Sequence, residues 1–365
     1  MSASEVLCAS WENYPEVDAL GGSKHELIAN FNHFLPYSSK KCILSWAVLR
    51  REGRLIGAAP VVRLIQSPLH MMLVPRWRRR LSWLSSLIRK TTLLVDTSFL
   101  AYDAASPFLA APGEDHSEIR QQLCNFLLRE RNVDTVWIAE PEDEAWLCSS
   151  GGWDQFLTLP IARIGLDKIY SFDEYLACLS QKRRRNYRKE NQAFIAAGAK
   201  IECVEGPLSR DSKILRSLIK FLRASEARAT VYAPFNNVMI NPSAFATQKQ
   251  TLLVASICNK PVGFIAFVHA GEVFMQVHGG LDYQQSELIF AYHNLIYAGI
   301  REAISRGLRL VTMGPLNNET KRRASTELVP MVVSVKNHSL IDRLLARNWF
   351  YPRMGAYFAP CRKGA

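Results

Sequence analysis

Apolar runs split by a short polar break recur along the chain. Ile43 to Ile65 (ILSWAVLRREGRLIGAAPVVRLI) carries two such runs around Arg51-Glu52-Gly53-Arg54, and Leu252 to Val268 (LLVASICNKPVGFIAFV) carries two around Asn259-Lys260-Pro261. Each pattern predicts a β-hairpin. Gly57 and Gly263 hold the same place in the second strand of each, 206 positions apart, which reads as a weak internal repeat of a duplicated fold. After the second hairpin, Glu272 to His278 (EVFMQVH) predicts a strand bounded by Gly271 and Gly279-Gly280. Leu288, Ile289, Tyr292, Leu295, Ile296, Ile300 and Ala303 then fall on one stripe, so Ser286 to Arg306 reads as an amphipathic helix stopped by Gly307. Gly299 lies on that stripe, where it weakens the helix but admits a close neighbour. Leu308 to Met313 reads as a buried strand ended by Gly314-Pro315. A further helix is expected within Ser334 to Phe350, from Leu340, Leu344, Leu345 and Trp349, and a closing strand within Tyr351 to Pro360. The first half resembles this order, with its own hairpin, a middle that shows no clear pattern, a helix near His116 to Arg131 and a strand over Thr135 to Ala139, and Leu157 to Asp167 crosses between halves. A strand–helix–strand unit inside a mixed, mostly antiparallel sheet flanked by helices gives an α/β (α+β) class.

Composition narrows this picture. The 365 residues suggest two domains, and 48% hydrophobic content excludes a disordered chain. The division is expected at 1–165 and 166–365. No run of about 18 apolar residues is free of charge, so no transmembrane segment is expected. The start of the chain lacks the pattern of a signal peptide. The eight cysteines have no metal-ligand or CxxC spacing, so reduced thiols and a cytoplasmic location are expected, with no metal site.

Charge changes the reading more. The formal net charge is +12, and much of the excess sits in runs. Arg76 to Lys90 (RWRRRLSWLSSLIRK) interleaves Trp77 and Trp83 with arginines, a composition suited to stacking on bases, to a membrane surface or to snorkelling over a core. Gln181 to Glu190 (QKRRRNYRKE) follows a helical pattern at Phe172, Tyr175, Leu176 and Leu179, with Ser171 as N-cap before Asp173 and Glu174. On a helix, Lys182, Arg185 and Lys189 share one face and Arg184 and Arg188 another, which suits an anionic ligand. The third run is Lys321-Arg322-Arg323, with Arg306 and Arg309 upstream.

Three passages together resemble the GNAT acyltransferase superfamily, in particular its two-lobed branch related to the Fem peptidyltransferases and to tandem acetyltransferase-like proteins of envelope and polysaccharide gene clusters. They are Tyr170 to Val204, Lys260 to Tyr283 with its Gly–Leu–Asp–Tyr turn, and Arg306 to Pro330 with a glycine turn followed by a lysine. The resemblance covers about 170–350 well and the N-terminal half only through its hairpin. It implies two tandem GNAT-like lobes, the second carrying the acyltransferase motifs. Two departures stand out. The stretch that in single-domain members is a Gly-rich pyrophosphate loop here reads Gln284-Gln285-Ser286-Glu287-Leu288, with no glycine and an acid. The coiled-coil arm of many Fem enzymes is also missing, which favours the shorter acetyltransferase-like branch.

Acyl transfer to an amine needs a base, oxyanion stabilisation and a proton for the leaving group. His278, Asp282, Tyr283 and Glu287, at the end of the Glu272–His278 strand and after it, are the expected base and acid residues. Tyr292 fits the core stripe of the next helix, whereas His293 points off it toward surface or cleft. The resemblance puts Lys321 where it holds a donor or acceptor phosphate and, in its Fem-like form, Arg184, Arg185 and Arg188 on phosphates of the donor or substrate. No HExxH, GxSxG, Walker or GxGxxG motif occurs. The expected activity is N-acyl transfer from acyl-CoA, a co-substrate and not a tightly bound cofactor, to an amine of a small metabolite or saccharide. The alternatives are an aminoacyl-tRNA donor, as in Fem enzymes, and a non-catalytic module binding nucleic acid or anionic lipid.

Overall fold

A computed structural model describes residues 7–13, 15–20, 31, 38, 42–66, 90–95, 106–145, 153–209, 212–228, 249–315, 319–339, 343–344 and 359–360. The chain forms two compact units. One comprises 1–159, 230–238 and 330–365, and the other 160–229 and 239–329. Residues 330–365 therefore group with the first unit, whereas the sequence reading had placed them in a C-terminal lobe ending at 365.

In the first unit, β1 (Leu7–Glu12), β2 (Cys42–Arg51), β3 (Arg54–Gln66) and β4 (Lys90–Val95) lead through the short β5 (Leu109–Ala110) to α1 (His116–Arg129) and β6 (Thr135–Pro141). The chain passes to the second unit within β7 (Asp154–Gly165). There follow α2 (Phe172–Cys178), α3 (Gln181–Ala196), β8 (Ala199–Glu205), α4 (Lys213–Arg228), β9 (Thr251–Ile257), β10 (Lys260–Ala270), β11 (Val273–Leu281), the one-turn α5 (Tyr283–Ser286), α6 (Ala291–Ser305), β12 (Leu310–Pro315) and α7 (Glu319–Ala324). It returns to the first unit within β13 (Glu327–Asn337), and β14 (Ala359–Pro360) pairs with Leu157 and Phe156.

The two units have the same strand order. The first runs β1-β2-β3-β4-β6-β13, the second β8-β9-β10-β11-β12-β7. In each, all neighbours described are antiparallel except one pair, β4 with β6 and β11 with β12, which are parallel and joined by a helix. Parallel neighbours need such a crossover. The repeat extends to detail. Both hairpins turn over two residues with positive φ, Glu52 (51°) and Gly53 (83°), then Cys258 (48°) and Asn259 (60°), the primed geometry that matches strand twist. The second turn is thus Cys258-Asn259, one residue ahead of the Asn259-Lys260-Pro261 break. A register shift follows each turn at the same place, before Gly57 and before Gly263. Gly57 lies under α1, where a Cβ would collide with Ile119, and a Cβ on Gly263 would come 3.6 Å from Leu295 of α6. Gly57 lets its covering helix settle onto the hairpin, whereas Gly263 makes room for Leu281 of the neighbouring strand, 2.6 Å from where its Cβ would lie.

Burial explains the elements. In the second unit Leu295, Ile296, Ile300 and Ala303 of α6 pack into a core with Phe267, Phe274, Tyr175 and Tyr297. In the first, Ile119, Leu123 and Leu127 of α1 cover Ile56, Val61 and Leu93. Gly299 does what its place on the stripe implies, because the Phe267 ring occupies the space of its missing Cβ. α6 ends in a Schellman motif: Gly307 has φ 68°, its N–H donates to Ile304 O at 3.0 Å, and Leu308 N–H donates to Ala303 O at 3.0 Å. The helix starts later than the sequence suggests. Phe290 sits in the left-handed region at φ 53°, which separates the turn of α5 from α6. Ser334, the first residue of the segment expected to hold a C-terminal helix, lies in β13, and the expected helix itself lies outside the described residues apart from Arg343 and Leu344. The basic run at 76–90 also lies outside them, except for Lys90 in β4.

Candidate active site in the second unit

The site forms where two parallel strands part. β11 and β12 pair only over Val273–Met275 and Leu310–Thr312, and then both continue, to Leu281 and to Pro315. Each strand is irregular at that point. Against β10, Ala266 faces His278 while Phe267 faces Gln276, so Val277 is an extra residue. Against β7, the register of β12 shifts between Thr312 and Pro315, with Gly314 at φ 69°. Bulges of this kind bend and twist a strand and re-aim its side chains. Gln276 is the first residue past the parting. Its carboxamide is buried, with Nε2 at 3.5 Å from the Tyr292 hydroxyl and no hydrogen-bond partner for Oε1.

Beside this opening, three helices bring together a buried polar cluster. α3 supplies Glu190, α6 supplies His293 and Asn294, and α7 supplies Thr320 and Arg323, with Lys321 between these two in sequence. His293 Nε2 lies 2.9 Å from Thr320 Oγ1 and 3.9 Å from Glu190 Oε1. Arg323 donates to the same Glu190 oxygen at 3.3 Å. Both contacts of the imidazole use Nε2, so this is not a carboxylate–histidine–hydroxyl relay, which requires the carboxylate on the other nitrogen. Asn294 ties α6 to α3 by donating to Glu190 O at 3.3 Å, and also donates to Phe290 O at 3.0 Å. Lys321 is 4% exposed, and its ammonium group donates to Pro315 O at the end of β12, 3.2 Å away.

Burial sets the proton affinities. It brings the Lys321 amine down to about 7. The imidazole of His293 falls to about 4, through burial first and the Arg323 cation second, so it is neutral at neutral pH. Burial pushes the Glu190 carboxyl up, partly offset by Arg323 and Lys189. Lys321 thus sits where an amine exchanges protons near neutral pH.

The expected residues fall in different places. Lys321 follows Thr320 on α7, with its buried amine on Pro315 O. His278 follows the bulge on β11 and is 9% exposed. Asp282 caps α5, accepting from Gln284 N–H at 3.2 Å. Tyr283 donates to Ser225 Oγ of α4 at 3.1 Å, and Glu287 is exposed at the end of α5. The Ser171 capping box forms as its spacing implies. Arg184 donates to the carbonyls of Ala177 and Leu179 and so caps the end of α2. Arg185 and Arg188 are exposed on α3, beside Lys182 and Lys189. The third basic run is largely neutralised within the chain. Arg306 pairs with Glu205 and Glu302, Arg309 with Asp167 and Glu272, and Arg322 with Glu319. Sequence reasoning passed over Glu190, Thr320 and Gln276. For Glu190 the signal was there: it is the one acid in the basic run from 181 to 190.

Among the described residues, Cys203, Glu205 and Glu302 approach within 4.8 Å in the manner of a metal site, but Arg306 pairs with both carboxylates and supplies the positive charge.

Comparison with protein-family models and with curated proteins finds no match to the sequence. Solved structures do match. A tandem GNAT protein from the clavulanic acid biosynthesis pathway is 12% identical with a TM-score of 0.54, over 92% of this chain and 99% of that one. The C-terminal domain of a lysylphosphatidylglycerol synthetase from Agrobacterium fabrum is 10% identical with a TM-score of 0.50, over 94% and 99%. FemX is 10% identical with a TM-score of 0.50, over 88% and 93%. The protein has a GNAT fold.

In the first unit a different polar group follows the parallel pairing. Glu140, on β6 two residues beyond the last β4 pairing at Ile138, forms a buried ion pair with Arg120 of α1 at 2.9 Å. Arg120 also donates to Ser106 Oγ and Glu144 O, at 3.0 and 2.9 Å.

Proposed function

We propose that the second unit transfers an acyl group from a phosphate-bearing activated donor to an amine. The observation that carries this is the opening between β11 and β12 beside a buried amine with proton affinity near neutrality. A donor carbonyl held in the opening is attacked by the acceptor nitrogen; a C–N bond forms and the bond to the donor's sulfur or oxygen breaks. Lys321 takes the role first expected of His278: it accepts a proton from the amine as a neutral base, or returns one to the leaving group as an ammonium, and either exchange is efficient for a group poised near the working pH. Neutral His293 and Thr320 orient α7, and Gln276 offers an unpaired carboxamide oxygen to an N–H of donor or acceptor. Acyl-CoA is the donor we favour. Titration with acetyl-CoA and longer acyl-CoAs by calorimetry tests it, and no heat at high micromolar concentration for any chain length overturns it.

A second reading, an aminoacyl-tRNA donor, has one specific support. Lys182, Arg185, Arg188 and Lys189 are all exposed on α3, and phosphate neutralisation by such a face binds RNA in a salt-dependent way. A gel shift with total tRNA at about 50 and 200 mM salt separates the two donors, because binding through several phosphates weakens by orders of magnitude over that range.

A further inference from the structure

α3 presents one face of uncompensated positive charge. At 3.6 residues per turn, Lys182, Arg185, Arg188 and Lys189 fall within about 120° of its circumference and about 10 Å of its length. All four are exposed, and among the described residues none of them has a hydrogen-bond or ion-pair partner. The other charged groups of the helix are engaged within the fold. Arg183 donates to Ser325 O, and Arg184 to the carbonyls of Ala177 and Leu179. Glu190, the one acid of α3, is buried and accepts from Arg323. The outward face thus carries four cations and no acid. Its far end is apolar. Ile195, 63% exposed, lies two turns beyond Arg188 on nearly the same line. It also lines a groove of about 330 Å³ floored by Phe194, Ile201 and Leu253. Glu302 lines that groove too, but pairs with Arg306.

We infer that this face of α3 docks the protein on an anionic lipid surface. The cations lie against headgroup phosphates, and Ile195 enters the boundary between headgroups and acyl chains. The same cations support the aminoacyl-tRNA reading, but two features of the face favour lipid. RNA held without sequence preference lies in a charged groove and stacks its bases on aromatic side chains. Here the cations stand on the outer side of a helix, and both aromatic residues of α3, Tyr187 and Phe194, are buried. An exposed isoleucine adds nothing to phosphate neutralisation, whereas it is stabilised on leaving water for hydrocarbon. The inference does not depend on the acyl donor or on Lys321, because it concerns where the protein binds and not what it transfers.

Co-sedimentation of the full chain with vesicles is the test, using phosphatidylcholine alone and an equal mixture of phosphatidylcholine and phosphatidylglycerol. The variants are Arg185→Gln combined with Lys189→Gln, and Ile195→Gln alone. All three side chains are exposed, so their replacement leaves the fold intact. We expect binding to the mixed vesicles only. The double charge variant weakens it about 25-fold, at about fivefold per cation. Ile195→Gln weakens it roughly three- to tenfold and leaves any gel shift with total tRNA unchanged. No binding to the mixed vesicles, equal binding to both vesicle types, or full binding by either variant overturns the inference. A tRNA shift without vesicle binding overturns it in favour of the RNA reading of the same face.

Discussion

In the sequence only the resemblance, which places a lysine after the Gly314 turn, set Lys321 apart from Arg322 and Arg323, and it did so as an exposed charge on a phosphate rather than as a buried amine. The fold separates them: Arg322 reaches outward to Glu319, and Lys321 turns inward. The difference has a measurable sign. The amine's folded value of about 7 lies below its ordinary 10.5. Between those two pH values the unfolded chain binds more protons, so stability rises with pH across that window. We expect Lys321→Met to stabilise the protein by about 1–3 kcal/mol near pH 7, since a buried charge gives way to an apolar chain, and to flatten that rise in denaturant titrations. Turnover in the same variant is expected to drop about 10²–10⁴-fold, the usual cost of losing an acid–base group. His293 acts in the acid range. Its value of about 4 against an ordinary 6.5 makes stability fall as pH drops from 6.5 to 4. His293→Gln is expected to reduce that loss, read as a shallower dependence of Tm on pH.

At the level of elements, glycines decide how closely helices and strands approach. A Cβ on Gly280 of β11 would lie 2.7 Å from the backbone carbonyl carbon of Phe221 in α4, and backbone there cannot swing aside as a side-chain tip would. Gly280→Ala is therefore expected to cost about 1–3 kcal/mol in chemical denaturation, and to loosen α4 from the strand that carries the bulge. Gly299→Ala meets a Phe267 ring packed against Phe274, and a similar loss is expected. The hairpins, the α6 stripe, its Gly307 stop and the Ser171 cap were all readable, because each is a local rule of spacing or turn chemistry. The start of α6 was not, because the apolar stripe runs unbroken through Leu288 and Ile289 while the backbone breaks at Phe290. The helical pattern at Phe172 to Leu179 and the basic run after it form two separate helices, α2 and α3, with Ser180 capping the second.

For the whole molecule, the shared strand order of the two units is the main result. The same parallel pair, crossover helix and bulged hairpin occur twice, yet the polar groups beyond the two parallel pairings differ. One holds a buried amine, and the other the Arg120–Glu140 pair closed onto Ser106 and Glu144. We expect calorimetry to find one donor bound per chain, and Arg120→Met with Glu140→Leu to leave that number and its affinity unchanged. Two equivalent sites, or loss of donor binding in the double variant, would contradict this assignment. By itself the sequence determined the duplicated hairpin–strand–helix–strand order and the concentration of charge, because periodicity and turn residues act over a few positions. Tertiary structure alone decided which charged residues are spent on ion pairs and caps and which are brought inward. Glu190, His293 and Thr320 come from three helices and lie far apart in sequence; only the packing of α3, α6 and α7 brings them together, and burial shifts the proton affinities of Glu190, His293 and Lys321.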